Sequence, residues 1–541
     1  MFEQVTRGAR ITLFSVALLA LSVSVFGQDV SAGGTGGQQS GQAAGSPVVR
    51  KLSVDEAVQM ALEQNLDLQV ERINPRLRDL SIATAKTVWT PNFTSGLSDG
   101  NSTTPNYNIY AASGSTLSSQ QLQWSFGANQ QLPWGGNYQV SWGSQRLKSN
   151  NAFDLTNPVL GSTLSATYTQ SFLRNLKIDG ARQQLLISRK NREISDVQLR
   201  QTVLATIRSV KNAYWNLSYY VSSLQVQQQS LDLARESLKN NEARVRIGTM
   251  APIDIIQAQA EVASREEAVI RAQAAVAQAE DQFRGLIMDP QSPNFWIMKF
   301  ELTDAPSFQA QAVDVDAAVR RALDARTDLV QQKKTLEEND LTLRYLHNQT
   351  LPDVNFQARY SMTAKGGTTY NYDQNGALTG TTVVGYGSVL SSVLRRDLPT
   401  WSFAVQVNYP IGNSNAEANL AAAKLQMDQA RTQLRAAELS VVTQVRDAAR
   451  QVMTNQKRVE STRASRELQE KKLEAEQKKF AAGMQTTFFV LQAQRDLAQA
   501  RNAELQAILD YTRSLVDFET VQQAPTYGGG GGGVTISTGG Q

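Results

Sequence analysis

The chain has 541 residues, with 53 lysines and arginines against 49 aspartates and glutamates, one histidine and no cysteine. A net charge of +4 offers no concentrated basic footprint for a nucleic acid. The lack of cysteine excludes disulfides, thiol nucleophiles, thiolate metal sites and a lipid-modified N-terminal cysteine, and the single histidine, His347, cannot by itself build a multi-histidine metal site.

The N-terminus reads as an export signal. Arg7 and Arg10 precede a mainly apolar run from Ile11 to Val25, and Val25-Phe26-Gly27 offers a cleavage point before Gln28. Residues 1–27 are therefore expected to be a signal peptide and 28–49 a flexible leader rich in Gly, Ser and Gln. The run from Ile11 to Leu21 is short for a spanning helix. No later stretch could form one, so any membrane crossing must use strands closed into a barrel. Residues 525–541, mostly glycine, read as a disordered tail.

Between these ends the chain is written twice. Val54, Asp55, Ala57, Val58, Ala61 and Leu62 recur as Val315, Asp316, Ala318, Val319, Ala322 and Leu323, and Pro91 recurs as Pro352. Further on, Gly248 and Ile256-Gln257-Ala258-Gln259 recur as Gly483 and Leu491-Gln492-Ala493-Gln494. The first repeat, 50–310, is read as a short helix, strands about 91–172, a long helix about 178–247, a turn about 248–252 and a helix about 253–289. The second, 311–524, has short helices, strands about 353–411, a long helix about 414–482, a turn about 483–486 and a helix about 487–522. The first copy carries an excess of about 23 residues in its strand region, which fits one added hairpin around Leu132-Pro-Trp-Gly-Gly136. Whether that hairpin joins the strand wall or projects from it stays open.

The long helices have heptad spacing. Val203, Val210, Leu217, Leu224, Leu231, Leu238 and Val245 fall every seventh residue, and Leu420, Met427, Leu434 and Val441 do the same in the second copy. A second seam through Val445, Val452, Val459, Leu473 and Phe480 is interrupted only by Arg466. The strand segments alternate instead. Leu122–Ala128, Tyr138–Trp142, Leu164–Tyr168, Val354–Met362 and Trp401–Tyr409 place aromatic and aliphatic residues on one face and Gln, Ser, Asn and Thr on the other. A wall between lipid and a wet lumen requires that split. Four to six strands cannot enclose an aqueous pore, so the barrel must be shared; three copies of four strands would give about twelve.

The paired openings, the strand pairs and the paired Gly-to-Ala-Gln turns together resemble the TolC family of outer-membrane efflux proteins, over roughly residues 50 to 522. The resemblance implies an α+β membrane protein, a trimeric β-barrel (four to six strands per chain) continuous with a periplasmic α-helical coiled-coil barrel. It implies a homotrimer in outer-membrane lipid, docked on a periplasmic adaptor protein and, through it, on an inner-membrane transporter. Catalytic, cofactor and metal sites are not expected. Adaptor docking would fall on the tips, at Arg246, Gly248, Thr249, Pro252, Gly483, Met484 and Thr486. Gate positions carried over are Asp254, Phe480, Gln485, Phe489 and Gln492. Gln485 stands where the family places an arginine, and Phe489 and Gln492 where it places aspartates, so the polar lock is incomplete. A constriction narrowed by Phe488 or Phe489 would gate partly by dewetting; helix phase could equally turn these rings into the interhelix seam. Function follows as passive export, in drug efflux, metal efflux or type I secretion. The competing reading is a trimeric coiled-coil structural or adhesive protein, which leaves the duplicated strands without a purpose.

Overall fold

The computed structural model describes residues 49–106, 115–305, 308–374, 377–412 and 414–526. The expected signal peptide, nearly all of the leader and residues 527–541 of the tail lie outside the described residues. Strand β1 (Val49–Leu52) leads to helices α1 (Val54–Gln64) and α2 (Leu66–Lys86). Strands β2 (Asn92–Pro105), β3 (Thr116–Gln131), β4 (Gly136–Ser149) and β5 (Thr156–Ser171) follow, then helices α3 (Gly180–Arg246) and α4 (Ile253–Ile287). The second half comprises strand β6 (Lys299–Leu302), helices α5 (Val315–Ala325) and α6 (Thr327–Gln349), strands β7 (Asp353–Tyr372) and β8 (Leu378–Val384), helix α7 (Tyr386–Arg395), strand β9 (Pro399–Asn408), and helices α8 (Asn415–Ala481) and α9 (Thr487–Val521).

The halves match in detail. α3 and α8 have 67 residues each, and α4 and α9 have 35 each. At 1.5 Å per residue the longer pair run for roughly 100 Å. α1 starts behind a capping box of Ser53 and Glu56, and α5 behind Asp314, whose carboxylate accepts the Ala317 N–H. Each cap satisfies donors that a helix start leaves free. Asn65 and Arg326 each end one helix and start the next in extended backbone, with ψ of 126° and 128°. Each then donates to a carbonyl in the last helix of its own repeat, Asn65 to Leu286 at 3.1 Å and Arg326 to Val521 at 3.4 Å. Ala57 and Ala61, like Ala318 and Ala322, are fully buried, because only a small side chain lets α1 or α5 lie this close to the long helices. The first pack beside Val210, Tyr214 and Phe283, the second beside Val441, Val445 and Val521.

The first repeat opens with two helices, not the one short helix the sequence suggested, and with a parallel pair of strands, β1 and β6. Tyr214 on α3 clamps that pair: its hydroxyl donates to the Leu52 carbonyl and accepts the Asp304 N–H, both at 3.1 Å.

The main sheet runs β2-β3-β4-β5-β7-β8, with β9 also on β7, every pair antiparallel. Among the described residues it has seven strands, against the four to six expected. The difference comes from α7, which splits one strand position in two. β9 pairs with Asp353–Met362 of β7 and β8 with Gly367–Tyr372, on the edge opposite β5. Seven strands therefore fill six ranks. Helix α7 lies on the sheet, with Val389 and Val393 packed against Leu160, Leu164, Met362 and Ala364. Gly366 makes room for it: a Cβ there would sit 2.5 Å from Val389 Cγ2.

Register sorts the side chains by face. Phe126, Trp142, Leu164 and Met362 are successive partners across β3, β4, β5 and β7, and so share one face. Ser141, Ser165 and Ser361 are partners on the other, where Ser141 and Ser165 hydroxyls meet at 2.8 Å. No helix among the described residues is long and apolar enough to cross a membrane.

Candidate functional site

The two long hairpins, α3–α4 and α8–α9, end in tips of the same construction. At the first, Gly248 has φ +78°, its N–H bonds the Val245 carbonyl at 2.9 Å, and Thr249 N–H bonds Arg244 at 3.0 Å. At the second, Gly483 has φ +71°, with bonds from Gly483 to Phe480 at 3.1 Å and from Met484 to Lys479 at 3.0 Å. This crossed pair of bonds satisfies carbonyls that a helix end leaves free, and it needs a left-handed residue at its centre. Pro252 and Thr486 occupy the N-cap positions of α4 and α9. A Cβ on either glycine would meet no atom within 4 Å, so substitution there tests backbone conformation alone. Gly248→Ala and Gly483→Ala should each lower stability by about 1 kcal/mol, and the double variant by the sum. Thermal unfolding followed by circular dichroism reads this; an unchanged midpoint in the double variant would show that the tips tolerate another turn.

The tips are apolar for exposed turns. Ile247, Ile253, Met484, Phe488 and Phe489 all stand exposed, Ile247 by 73% and Met484 by 72%. The rings of Phe488 and Phe489 meet edge to face at 5.6 Å. Their neighbours Thr487 and Val490 are buried in the hairpin, so within one chain the two rings lie outside the seam. Phe480 behaves differently. It packs with Leu473, Val490 and Leu497 and lies under the Arg244 guanidinium, 4.5 Å from the ring centre. Its ring ties α8 to α3. Gln485 is half-buried with Oε1 unpartnered, and Asp254 is half-buried in the first turn of α4.

Two turns into the helices lies a polar knot of which the sequence singled out only Gln492. Glu261 of α4, its side chain only 9% exposed, holds Arg265 of its own helix at 2.8 Å and Arg495 of α9 at 3.2 Å. Arg495 also donates to Gln492 at 3.0 Å, and Gln492 donates to Asp496 at 2.7 Å. Hydrogen bonds from Lys472 and then Gln492 hold the Asp496 carboxyl below the usual range. Gln492 is thus a link in this knot. Arg495 and Glu261 are 234 residues apart, and the sequence signal available was only that both are charges within Ala-rich seams.

Higher up, further contacts join the hairpins: Ser223 to Asn502 at 3.2 Å and Arg208 to Asp517 at 2.6 Å, both between α3 and α9. Arg466, the interruption in the α8 heptads, faces α9 and is held by Glu504 at 2.6 Å and by Glu470 at 2.9 Å. Glu470 in turn is drawn below the carboxylate range, first by Arg501 and then by Arg466. A charge at a seam position is tolerated here because two carboxylates meet it.

The profile of a family described as outer membrane efflux protein matches residues 137–287 and 318–521. Among solved structures, the fold is similar to that of CusC, described with transmembrane channel formation, at TM-score 0.62 and 15% identity over 87% of this chain and 92% of that one. It is similar to the CmeC outer membrane channel of Campylobacter jejuni, at TM-score 0.59 and 15% identity over 87% and 85%. The open state of the MtrE outer membrane channel of Neisseria gonorrhoeae gives 0.57 and 16% over 87% and 89%. No match is found among curated protein sequences.

Proposed function

The chain belongs to the outer membrane efflux protein family, and on that premise we propose that it is the outer-membrane channel subunit of a tripartite efflux or type I secretion system. It works as a passive homotrimeric duct through outer-membrane lipid, docked by its periplasmic tips on an adaptor protein and thereby on an inner-membrane transporter. One observation carries this reading: a sheet with one apolar and one polar face, open at both edges, is joined to two long helical hairpins that share one seam. β2 and β9 are exposed along their whole length. In the helices, α3 packs along α4 and α9, and α8 along α9, which leaves α4 and α8 on the flanks. Open edges on both layers call for copies of the same chain, because an unpaired strand edge and a bare coiled-coil flank both need covering.

Export needs no chemistry from the protein, only a continuous wet path and a closure. The polar face of the sheet supplies the path at the membrane. The tips supply adaptor contacts through Arg246, Gly248, Thr249, Pro252, Gly483, Met484 and Thr486, where exposed apolar side chains surround a rigid turn. Closure is assigned to Asp254, Phe480, Gln485, Phe488, Phe489 and Gln492, with Phe488 and Phe489 as the apolar ring that excludes water when narrow. Reconstitution tests the whole reading. The purified protein should require detergent, run as a heat-modifiable trimer and conduct ions across planar bilayers. A monomer that stays in solution without amphiphile and leaves a bilayer silent would refute it.

A further inference from the structure

Four strands from each of three chains would close a wall of about twelve. Among the described residues the sheet has six ranks, and the two additional ones are β3 and β4. This hairpin is laced on both sides. β2 pairs with β3 from Asn92↔Asn129 to Pro105↔Thr116 without a shift, and β4 pairs with β5 from Gly136↔Gln170 to Leu147↔Val159. The hairpin also keeps the two-faced pattern. Trp124 and Trp142 meet edge to face at 5.1 Å on the apolar side, and Gln121 bonds Gln145 at 3.2 Å on the polar side.

We propose that β3 and β4 are wall strands, so that three copies close eighteen ranks, β2 of one copy pairing with the β8–β9 edge of the next. The proposal rests on the trimeric channel reading and fixes the width of its outer mouth. Direction permits this closure: with six alternating ranks, β2 and β9 run opposite ways and join antiparallel, as every other pair in the sheet does. Eighteen strands spaced ~4.8 Å apart and tilted ~40° enclose a circle ~36 Å across between backbones, whereas twelve enclose ~24 Å. Barrels of 16 to 18 strands hold an aqueous channel, so selection by size falls to the helical tips and not to the mouth.

The chain has no cysteine, so engineered pairs in the full-length channel report without background. Gly96→Cys with Ser125→Cys, and Gly143→Cys with Thr163→Cys, should crosslink within one chain in outer membranes. Gly96→Cys paired with single cysteines placed from Thr163 to Thr167 should not. If the hairpin leaves the wall, β2 meets β5, and crosslinks of this last kind overturn the proposal. A variant lacking residues 116–149 leaves β5 next after β2 in the chain and four ranks in the sheet. Polyethylene glycols added from the mouth side should be excluded at a radius about a third smaller than for the full chain; an equal radius overturns the proposal. Should the deletion fail to assemble, the crosslinks decide. A full-length protein that conducts yet crosslinks β2 to β5 refutes the eighteen ranks alone, whereas one that never conducts refutes the channel reading beneath them.

Discussion

Arg495→Ala should raise the single-channel conductance of the reconstituted protein several-fold. To widen the tunnel at its tips, the two hairpins must part, and the contacts between them must break first. Near the tips, Arg495 with Glu261 at 3.2 Å and Arg244 over Phe480 at 4.5 Å are two such contacts. Glu261 lies eight residues above the start of α4, about 12 Å up the tunnel. Its side chain is nearly buried while that of Arg495 is 42% exposed, so the pair should hold the closed state by about 1–2 kcal/mol, a factor of about 5–30 in population. The variant should still fold, because Glu261 keeps Arg265 and its charge is not orphaned. Charge reversal at one partner sharpens the test: Arg495→Glu sets a second carboxylate against Glu261 and should open the tip further. Conductance that is the same in wild type, Arg495→Ala and Arg495→Glu would remove this knot from the gate.

The reason this knot escaped the sequence also explains what could be read there. Heptad spacing reports which side of a helix is packed, and the duplicated Val54–Leu62 and Val315–Leu323 segments report that the packing occurs twice. Neither says which helices touch, so a contact between α4 and α9 is invisible until α3 has been placed between its neighbours. Phe480 shows the same limit. Its aromatic character marks a gate position by resemblance, but its ring is fixed under Arg244, a partner from the other repeat. Most of the main-sheet strands, though not β8, were legible because alternation has a period of two and leaves little freedom in which face a residue takes. Helix α7 was not. It is ten residues long, contains Gly387 and follows the strand-like Val383-Val384, so it was absorbed into the strand region read over about 353–411. It also masked the length of the added hairpin: residues spent on α7 in the second copy offset those spent on β3 and β4 in the first. β1 and β6 have four residues each and pair across the whole first repeat, too short to show any period.

Arg326→Ala should be among the most damaging single changes in the helical part, costing about 3–5 kcal/mol from the cavity and the lost donors, well above the cost of Asn65→Ala at the matching place in the first repeat. Arg326 is 1% exposed. Its Nε donates to both oxygens of Asp328 at 3.0 and 3.2 Å, its Nη2 to Gln444 at 2.5 Å and its Nη1 to the Val521 carbonyl at 3.4 Å. Those bonds tie α5, α6, α8 and the end of α9 at a single point. Removing the guanidinium takes a donor from an amide oxygen and a carbonyl and leaves a cavity, while Asp328, 31% exposed, keeps the Leu329 N–H as a partner. Asn65 meets the same need with a neutral amide, donating to Leu286 and accepting from Leu68 at 3.1 Å, so its loss should cost about 1–2 kcal/mol. The expected order of thermal midpoints in detergent is wild type, Asn65→Ala, then Arg326→Ala. Arg326→Met restores volume but not the donors to Gln444 and Val521, and should recover only part of the loss. If Arg326→Met alone were as stable as wild type, the buried charge would be filling space, and its correspondence to Asn65 would be one of position without shared mechanics.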